Sequence, residues 1–195
     1  MKFGAIDIGT NAARLLVGEV CYDGDHAYVK KHSYSRIPLR LGEEVFDQGR
    51  LSKKKIDQFV DCIQAFKLIA HIFEVEQLRA VATSAMREAY NGKEVANIIR
   101  EKCDIDIDII DGKIEATIIA SSDLHDFLKT DKTYLYVDVG GGSTEFSLFD
   151  DGKMIASKSF KIGTVRMLNN MVSDIVWEEI EKWIKCNTEE FDEVI

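Results

Sequence analysis

The sequence predicts an α/β protein of two related lobes, each opening with a three-stranded antiparallel meander that is followed by helical crossovers. The first observation is a repeat: one apolar segment runs into residues 7–9 (Asp-Ile-Gly), and another runs into residues 138–140 (Asp-Val-Gly). The second observation is that both copies continue through a further apolar segment to an Asp-Gly hairpin signal, at residues 23–24 and 151–152. Two lobes that each bring an Asp-x-Gly turn to a shared cleft would explain a repeat of this length.

The composition is that of an ordinary globular protein, with 46% hydrophobic and 30% charged residues in a chain of 195. The 34 acidic residues outnumber the 25 basic ones, and the formal charge of −9 argues against nucleic acid or an anionic membrane surface as a partner. No apolar run approaches the roughly 20 residues of a membrane span, and the start lacks a signal-peptide core. We expect a cytoplasmic protein whose four widely spaced cysteines are reduced thiols.

The first lobe is predicted to cover residues 1–128. Ser52 precedes apolar residues at helical spacing, which predicts a capped helix that ends near residue 75. Alternating apolar residues predict strands, whereas Asn-Gly and Asp-Gly pairs interrupt the helices. The predicted order is strands 3–6, 14–20 and 29–35, a helix over 53–75, strand 78–82, helices 83–90 and 93–102, strand 105–110 and a helix over 113–128.

The second lobe is predicted to cover residues 129–195 and repeats the opening of the first. Its meander is followed by two helices, the second of which has Ser173 as its cap, and by the start of a strand, so the second lobe is expected to be incomplete. Antiparallel strands that open a sheet continued by helical crossovers are typical of ribonuclease-H-like and actin-like proteins. The predicted order is strands 134–137, 145–149 and 154–161, helices 164–171 and 174–185, and a strand over 191–195.

The two glycine turns have a composition that suits phosphate groups. Glycine lets backbone N–H groups approach anionic oxygens, Ser and Thr hydroxyls add donors, and an Asp at the end of a strand can hold Mg²⁺. A single turn of this kind could equally end a strand without binding anything. The repetition of the turn at Asp138 favours a binding site.

An ordered set of segments resembles a known family. They are Asp-Ile-Gly-Thr-Asn at 7–11, Arg-Leu-Leu at 14–16, Ala-Thr-Ser-Ala-Met-Arg at 82–87, Gly-Lys-Ile-Glu-Ala at 112–116, Asp-Val-Gly-Gly-Gly-Ser-Thr-Glu at 138–145 and Gly-Thr-Val-Arg at 163–166. Together they resemble the exopolyphosphatase and guanosine pentaphosphate phosphohydrolase (Ppx/GppA) family, which has the actin-like phosphotransferase fold. The likeness extends over nearly the whole chain.

The resemblance implies a site of phosphate-binding groups, carboxylates and one general base. In the family, the Glu of the Gly-x-x-Glu-Ala segment activates water, and here that residue is Glu115. The planar guanidinium group of arginine can donate two parallel hydrogen bonds to phosphate oxygens. The implied phosphate-binding residues are Gly9, Thr10, Asn11, Arg14, Arg87, Gly140, Gly141, Gly142, Ser143 and Thr144, and the implied metal ligands, for Mg²⁺, are Asp7, Asp138 and Glu145.

Taken without the resemblance, several of these residues have ordinary explanations. Arg14 could be a surface arginine on a strand, and Arg87 could pair with Glu88. Glu115 lies early in a predicted helix, where the helix dipole favours any acid. Glu145 could be an exposed strand residue.

The resemblance implies a phosphohydrolase that removes the terminal phosphate of inorganic polyphosphate or of guanosine pentaphosphate. Either would be the small-molecule or polyanion partner, with no nucleic acid and no membrane, and a homodimer stays open. Two other functions are compatible with paired phosphate turns: an actin-like ATPase or kinase, and a sensor that binds phosphorylated nucleotides without turning them over.

Overall fold

The structure is a computed structural model that describes residues 1–24, 26–120 and 132–195. It divides into two compact units, Met1–Ile109 and Ile110–Ile195. The lobe boundary expected from the sequence, between residues 128 and 129, lies outside the described residues, as does the second half of the helix expected over 113–128.

The first unit is built on a five-stranded sheet whose order is β3-β2-β1-β4-β5. The pairs β1–β2 and β2–β3 are antiparallel, which confirms the predicted meander, and β4 and β5 join the sheet in parallel after helical crossovers. The strand expected over 105–110 is shorter, because Ile105 and Ile110 are buried outside the ladder. The strands are β1 (Lys2–Ile8), β2 (Ala13–Asp23), β3 (His26–Ile37), β4 (Gln77–Ala82) and β5 (Ile107–Ile109).

Helices cover one face of this sheet. Ser52 caps the longest of them, since its side chain accepts a hydrogen bond from the N–H of Lys55 at 3.2 Å. The first helix was not predicted: its N-cap is Arg40, which has a left-handed backbone and no capping side-chain bond, so the usual start signal is missing. The helices are α1 (Leu41–Gln48), α2 (Lys53–Ile72), α3 (Ser84–Glu88) and α4 (Gly92–Cys103).

The core of the first unit combines alternate residues of its strands with residues at helical spacing on its helices. Alternate residues of β1 and β2 point to the same face, and those facing the helices are fully buried. They meet residues at helical spacing on α2 and α4. This cluster includes Ile6, Ile8, Leu15, Val17, Phe59, Ile63, Phe66, Val95 and Ile99.

The second unit repeats the meander as a sheet of order β6-β7-β8, antiparallel throughout. One face of β7 carries Phe146, which packs edge to face against Phe160 and Trp183. Helix α5 packs against β8 and β7, and it therefore groups with this unit. The elements are α5 (Gly112–Ala120), β6 (Tyr134–Val139), β7 (Thr144–Asp150), β8 (Lys153–Phe160), α6 (Thr164–Leu168) and α7 (Asp174–Thr188).

The strand expected over residues 191–195 is not formed. Only Ile195 pairs with the edge of β6: its N–H donates to the carbonyl of Thr133 at 3.0 Å, and its carbonyl accepts from the N–H of Leu135 at 2.9 Å. None of the helices in the described part of the chain is long and apolar enough to cross a bilayer.

Candidate functional site

The turn between β6 and β7, residues 140–143, has all its carbonyl groups bonded within its own unit. The carbonyl of Ser143 accepts from the N–H of Gly140 at 2.9 Å, and the carbonyls of Gly140 and Gly141 accept from the N–H groups of Thr164 and Val165. The carbonyl of Gly142 accepts from Nε of Arg166 at 2.6 Å.

The backbone N–H groups of the same turn are bonded differently from its carbonyl groups. Among the described residues, no backbone carbonyl accepts a hydrogen bond from the N–H of Gly141, Gly142 or Ser143. Successive N–H groups without internal acceptors form the kind of concavity that binds anions. The second turn is therefore arranged as a donor site.

The turn between β1 and β2, residues 9–12, has a related hydrogen-bond pattern, although a backbone N–H takes the place that Nε of Arg166 has in the second turn. The N–H of Gly9 donates to the carbonyl of Ala12 at 3.0 Å, as Gly140 does to Ser143. The carbonyls of Thr10 and Asn11 accept from the N–H groups of Gly42 and Arg40 at 2.9 and 2.8 Å. The repeat seen in the sequence thus extends to individual backbone bonds.

In each unit a glycine near the start of the next helix permits the close approach to the turn. A Cβ atom added to Gly163 would lie 2.6 Å from the carbonyl carbon and oxygen of Gly141. A Cβ added to Gly42 would overlap the Cγ2 atom of Thr10. Gly42 was not predicted from the sequence, because the repeat that was recognised ends with the third strand of each meander.

Two predicted phosphate-binding hydroxyls are directed into the protein. Thr10 is buried, and its Oγ1 lies 2.7 Å from Oγ of Ser84 at the start of α3. Thr144 is also buried, and its Oγ1 donates to the carbonyl of Ile162 at 2.6 Å. At these two positions the hydroxyl group is engaged within the protein.

Helix α3 brings a predicted arginine close to the first turn. Ser84, which contacts Thr10, and Arg87 are three residues apart and are neighbours on the surface of α3. Arg87 is half-buried. Ser84 was not singled out from the sequence, because a Ser after a strand has no distinguishing signal.

Asp7 and Arg14 form an ion pair across the first meander. They are directly opposite on β1 and β2, and Nη1 of Arg14 donates to Oδ2 of Asp7 at 2.6 Å. Arg14 also reaches the turn, since its Nη1 lies 3.9 Å from the position of a Cβ on Gly9. The charge of Asp7 is thereby offset within its own sheet.

Asp138 and Glu145 occupy the equivalent positions in the second unit, directly opposite on β6 and β7. Two carboxylates therefore lie where the first unit has one acidic and one basic side chain. Residues that are directly opposite on paired strands have their Cβ atoms about 5 Å apart. Glu145 is only 3% exposed, which excludes the interpretation of an exposed strand residue. Burial raises the pKa of the Tyr136 phenol, two residues before Asp138, and the negative charge of Asp138 raises it further.

The Asp138–Glu145 pair has the donor chemistry of a site for a hard cation. Mg²⁺ prefers carboxylate oxygens, keeps several waters and is often held by one or two carboxylates together with substrate phosphates. Within the described ranges, no group of three or more His, Cys, Asp or Glu side chains could hold a metal ion. A two-carboxylate site that is completed by waters and substrate fits these residues, whereas a closed protein cage does not.

Glu115 lies on the first turn of α5. Asp111 caps this helix, because its Oδ1 accepts from the N–H of Ile114 at 2.8 Å. The helix packs on the face of β7 and β8 that carries Glu145, since Gly112 lies against Ser159 and Oγ of Ser159 donates to Oε1 of Glu145 at 2.7 Å. The Oε2 atom of Glu115 is buried. Ser159 was not predicted, because a serine in an alternating strand carries no motif.

Comparisons with known proteins agree with the resemblance seen in the sequence. A model of the Ppx/GppA phosphatase family matches residues 29–189. The chain is 31% identical to a bifunctional 3-dehydroquinate synthase/phosphatase of Fusobacterium nucleatum, with 97% of this chain and 30% of that protein covered.

Two other relatives have names that refer to the hydrolysis of phosphoanhydrides. Exopolyphosphatase 1 of Mycobacterium tuberculosis is 28% identical, with 89% of this chain and 50% of that protein covered. A guanosine-5'-triphosphate,3'-diphosphate pyrophosphatase of Photobacterium profundum is 29% identical, with 88% of this chain and 34% of that protein covered. The chain thus spans half or less of the length of these relatives.

The fold is also that of solved structures. An exopolyphosphatase from Cytophaga hutchinsonii superimposes with a TM-score of 0.76 at 25% identity, over 97% of this chain and 60% of that one. The predicted α/β fold is therefore confirmed. The family model extends over most of the chain and includes the second turn, Glu115 and the Asp138–Glu145 pair. The chain belongs to the Ppx/GppA phosphatase family.

Proposed function

We propose that the protein is a hydrolase that removes the terminal phosphate of inorganic polyphosphate or of guanosine pentaphosphate. The observation that carries this proposal is the arrangement within the second unit. A turn with three N–H groups available as donors is continuous with two opposed carboxylates, Asp138 and Glu145, on the sheet face where α5 carries Glu115. The names of the relatives from Mycobacterium tuberculosis and Photobacterium profundum support this choice of substrates.

The second turn would hold the terminal phosphate. The N–H groups of Gly141, Gly142 and Ser143 would donate to its oxygens, and the inward bonds of the turn carbonyls keep those donors in place without cost at the moment of reaction. The first turn, with Arg14 and Arg87 nearby, would bind phosphate in the same way.

Asp138 and Glu145 would hold Mg²⁺, with Asp7 the weaker candidate because Arg14 already neutralises it. When bound, the cation offsets the negative charge of phosphate oxygens. The two opposed carboxylates support this assignment, because carboxylate oxygens are the ligands that Mg²⁺ prefers.

Glu115 would act as the general base. Its carboxylate would orient a water molecule and accept its proton while the water oxygen forms a bond to the terminal phosphorus. The bridging P–O bond then breaks, and the shortened polyphosphate or nucleotide leaves with the bridging oxygen. The position of Glu115 on a capped helix above the Glu145 face supports this role.

The test is release of phosphate from polyphosphate and from guanosine pentaphosphate by the full-length protein, as the wild type and as Glu115→Gln. We expect the variant to be slower by about 10²–10⁴-fold, because general-base catalysis contributes that much. Glu178→Gln makes the same change of charge at an exposed position of α7 and should leave the rate unchanged. Equal rates for Glu115→Gln and the wild type would remove Glu115 from the mechanism, and no release from either substrate by the wild type would overturn the proposal.

The formal charge of −9 argues against nucleic acid as a partner, and the four free cysteines support a cytoplasmic setting. A polyanionic substrate would need locally basic groups or bound cations to offset that charge. Mass measurement of the products would separate the two substrates. Stepwise shortening of polyphosphate is expected of an exopolyphosphatase, and guanosine tetraphosphate is expected of a guanosine pentaphosphate phosphohydrolase.

A further inference from the structure

We propose that Ser159 is a positioning residue that fixes the Glu145 carboxylate and the start of α5 relative to each other. The inference rests on the proposed function, because it assigns Ser159 a role through Glu145 and Glu115. It adds a residue that neither the repeat nor the family motifs indicate.

The first contact is with the carboxylate. Ser159 lies directly opposite Glu145 on the neighbouring strand, and its Oγ donates to Oε1 at 2.7 Å. Glu145 is 3% exposed, so water cannot readily replace this hydrogen bond. A hydrogen bond to a buried carboxyl oxygen is sheltered from competing water, and it fixes the rotation of the carboxyl group.

The second contact is with the helix. A Cβ added to Gly112 would overlap Cβ of Ser159 and would lie 2.8 Å from its Oγ. Because Gly112 is the first residue of α5, the helix begins directly on Ser159. Glu115 is three residues further along, on the same first turn.

These contacts make one side chain the link between two predicted catalytic groups. Asp138, Glu145 and Ser159 occupy opposed positions on three adjacent strands, so they share one face of the sheet. The proposed cation ligands are at one end of this row, and the helix with the proposed base is at the other. Ser159 therefore sets the separation between the carboxylate pair and Glu115.

The experiment compares Ser159→Ala with Ser157→Ala in the full chain. Ser157 is the matched control, because it lies on the same strand and face but is opposite Ser147 instead of Glu145. Two quantities are measured: the Mg²⁺ concentration that gives half of the shift in melting temperature, and kcat and KM for phosphate release. Losing a residue that orients a metal ligand typically costs about 10–100-fold in metal affinity or activity, so Ser159→Ala should show a loss of that size in one of them. The KM of Ser159→Ala should stay within about twofold of the wild-type value, because the variant keeps the groups that bind the substrate in its ground state.

A double-mutant cycle distinguishes positioning from a merely structural role. If Ser159 acts through Glu145, adding Ser159→Ala to Glu145→Gln should change the Mg²⁺ midpoint no further. Additive effects, or a Ser159→Ala variant that matches Ser157→Ala, would overturn the inference.

A second variant keeps the test valid if Ser159→Ala does not fold. Gly112→Ala should displace the start of α5 from Ser159 while the bond to Glu145 remains, so kcat should fall and the Mg²⁺ midpoint should be retained. An unchanged kcat in Gly112→Ala would also overturn the inference. A wild type with neither a Mg²⁺-dependent shift nor phosphate release would overturn the proposed function instead.

Discussion

At the level of single residues, the two units differ most in the partner of the aspartate before the turn. Arg14 neutralises Asp7 in the first unit, and Glu145 opposes Asp138 in the second. Both pairs flank a turn that is closed by an equivalent bond, from Gly9 to Ala12 and from Gly140 to Ser143. Carboxylate oxygens are the ligands that Mg²⁺ prefers, which favours the second unit as the place of the proposed cation.

Sequence motifs predicted the identity of these residues but not what their side chains do. Asp7, Arg14, Asp138 and Glu145 could be named because they flank glycine turns. The ion pair of Arg14 with Asp7 depends on the register of β1 and β2. The contact of the Thr10 hydroxyl with Ser84 joins residues that are 74 positions apart in the chain. No local pattern records such contacts.

The buried thiol of Cys62 predicts a loss of stability in alkaline solution. Burial raises its pKa from 9.0 to about 12, so the folded protein keeps this proton at a pH where the unfolded chain releases it. The free energy of unfolding should therefore fall as the pH rises from about 9 toward 12, by about 1 kcal/mol per pH unit from this group. Urea unfolding at pH 8 and pH 10 measures the effect.

The control for Cys62 is Cys62→Ala, in which the difference in stability between the two pH values should become smaller. Cys186 is exposed and should react quickly with a thiol reagent in the folded protein, whereas Cys62 should not. Equal reaction rates for the two thiols, or no change of the pH dependence in Cys62→Ala, would contradict the prediction.

At the level of elements, the sequence was most informative where a start signal and a periodic pattern coincide. Both meanders and the helices capped by Ser52 and Ser173 were predicted, because capping side chains and alternating residues act over a few positions. Helix α1 was missed because it begins at Arg40 with no capping side chain. Its start is fixed by bonds from Arg40 and Gly42 to the first turn, which are tertiary.

The close contact at Gly163 predicts a defect confined to the second turn. A Cβ at this position would lie 2.6 Å from Gly141 and 2.7 Å from the amide nitrogen of Gly142, and backbone atoms cannot move aside as a side chain can. Gly163→Ala should therefore displace the turn, weaken binding of inorganic tripolyphosphate by about tenfold or more, and cost about 1–3 kcal/mol of stability. Isothermal calorimetry and chemical unfolding measure the two effects.

Gly4→Ala is the matched control for Gly163→Ala. Its Cβ would meet the end of the Leu78 side chain, which can change rotamer, and the site is in the sheet of the first unit. This variant should bind tripolyphosphate as the wild type does. Normal binding by Gly163→Ala would show that the turn does not depend on the approach of α6.

At the level of the whole molecule, each compact unit has its own core. The first unit buries a large cluster between its sheet and α2 and α4, whereas the second buries Phe146, Phe160, Ile162 and Ile180. The sequence predicted two related lobes from the repeat, and the structure confirms that the meander occurs twice. The shared cleft that the repeat suggested stays a prediction.

The size of the first core predicts that residues 1–109 fold when they are produced alone. All members of that cluster belong to this segment, and about 100 residues suffice for an independent core. We expect a single cooperative thermal transition by circular dichroism. Residues 110–195 are the comparison, and their smaller core should give a lower melting temperature or none. A fragment 1–109 without a cooperative transition would contradict the prediction.

The inward bonds of the Gly140–Ser143 carbonyls have one more consequence. Peptide amides do not titrate, and each carbonyl of this turn already accepts a hydrogen bond, which makes it a weaker ligand for a cation. The preference of this turn for anions over cations should therefore be the same in acid and in mild alkali. Any change of phosphate binding with pH is therefore expected to come from titratable side chains or from the substrate, and not from the backbone of this turn.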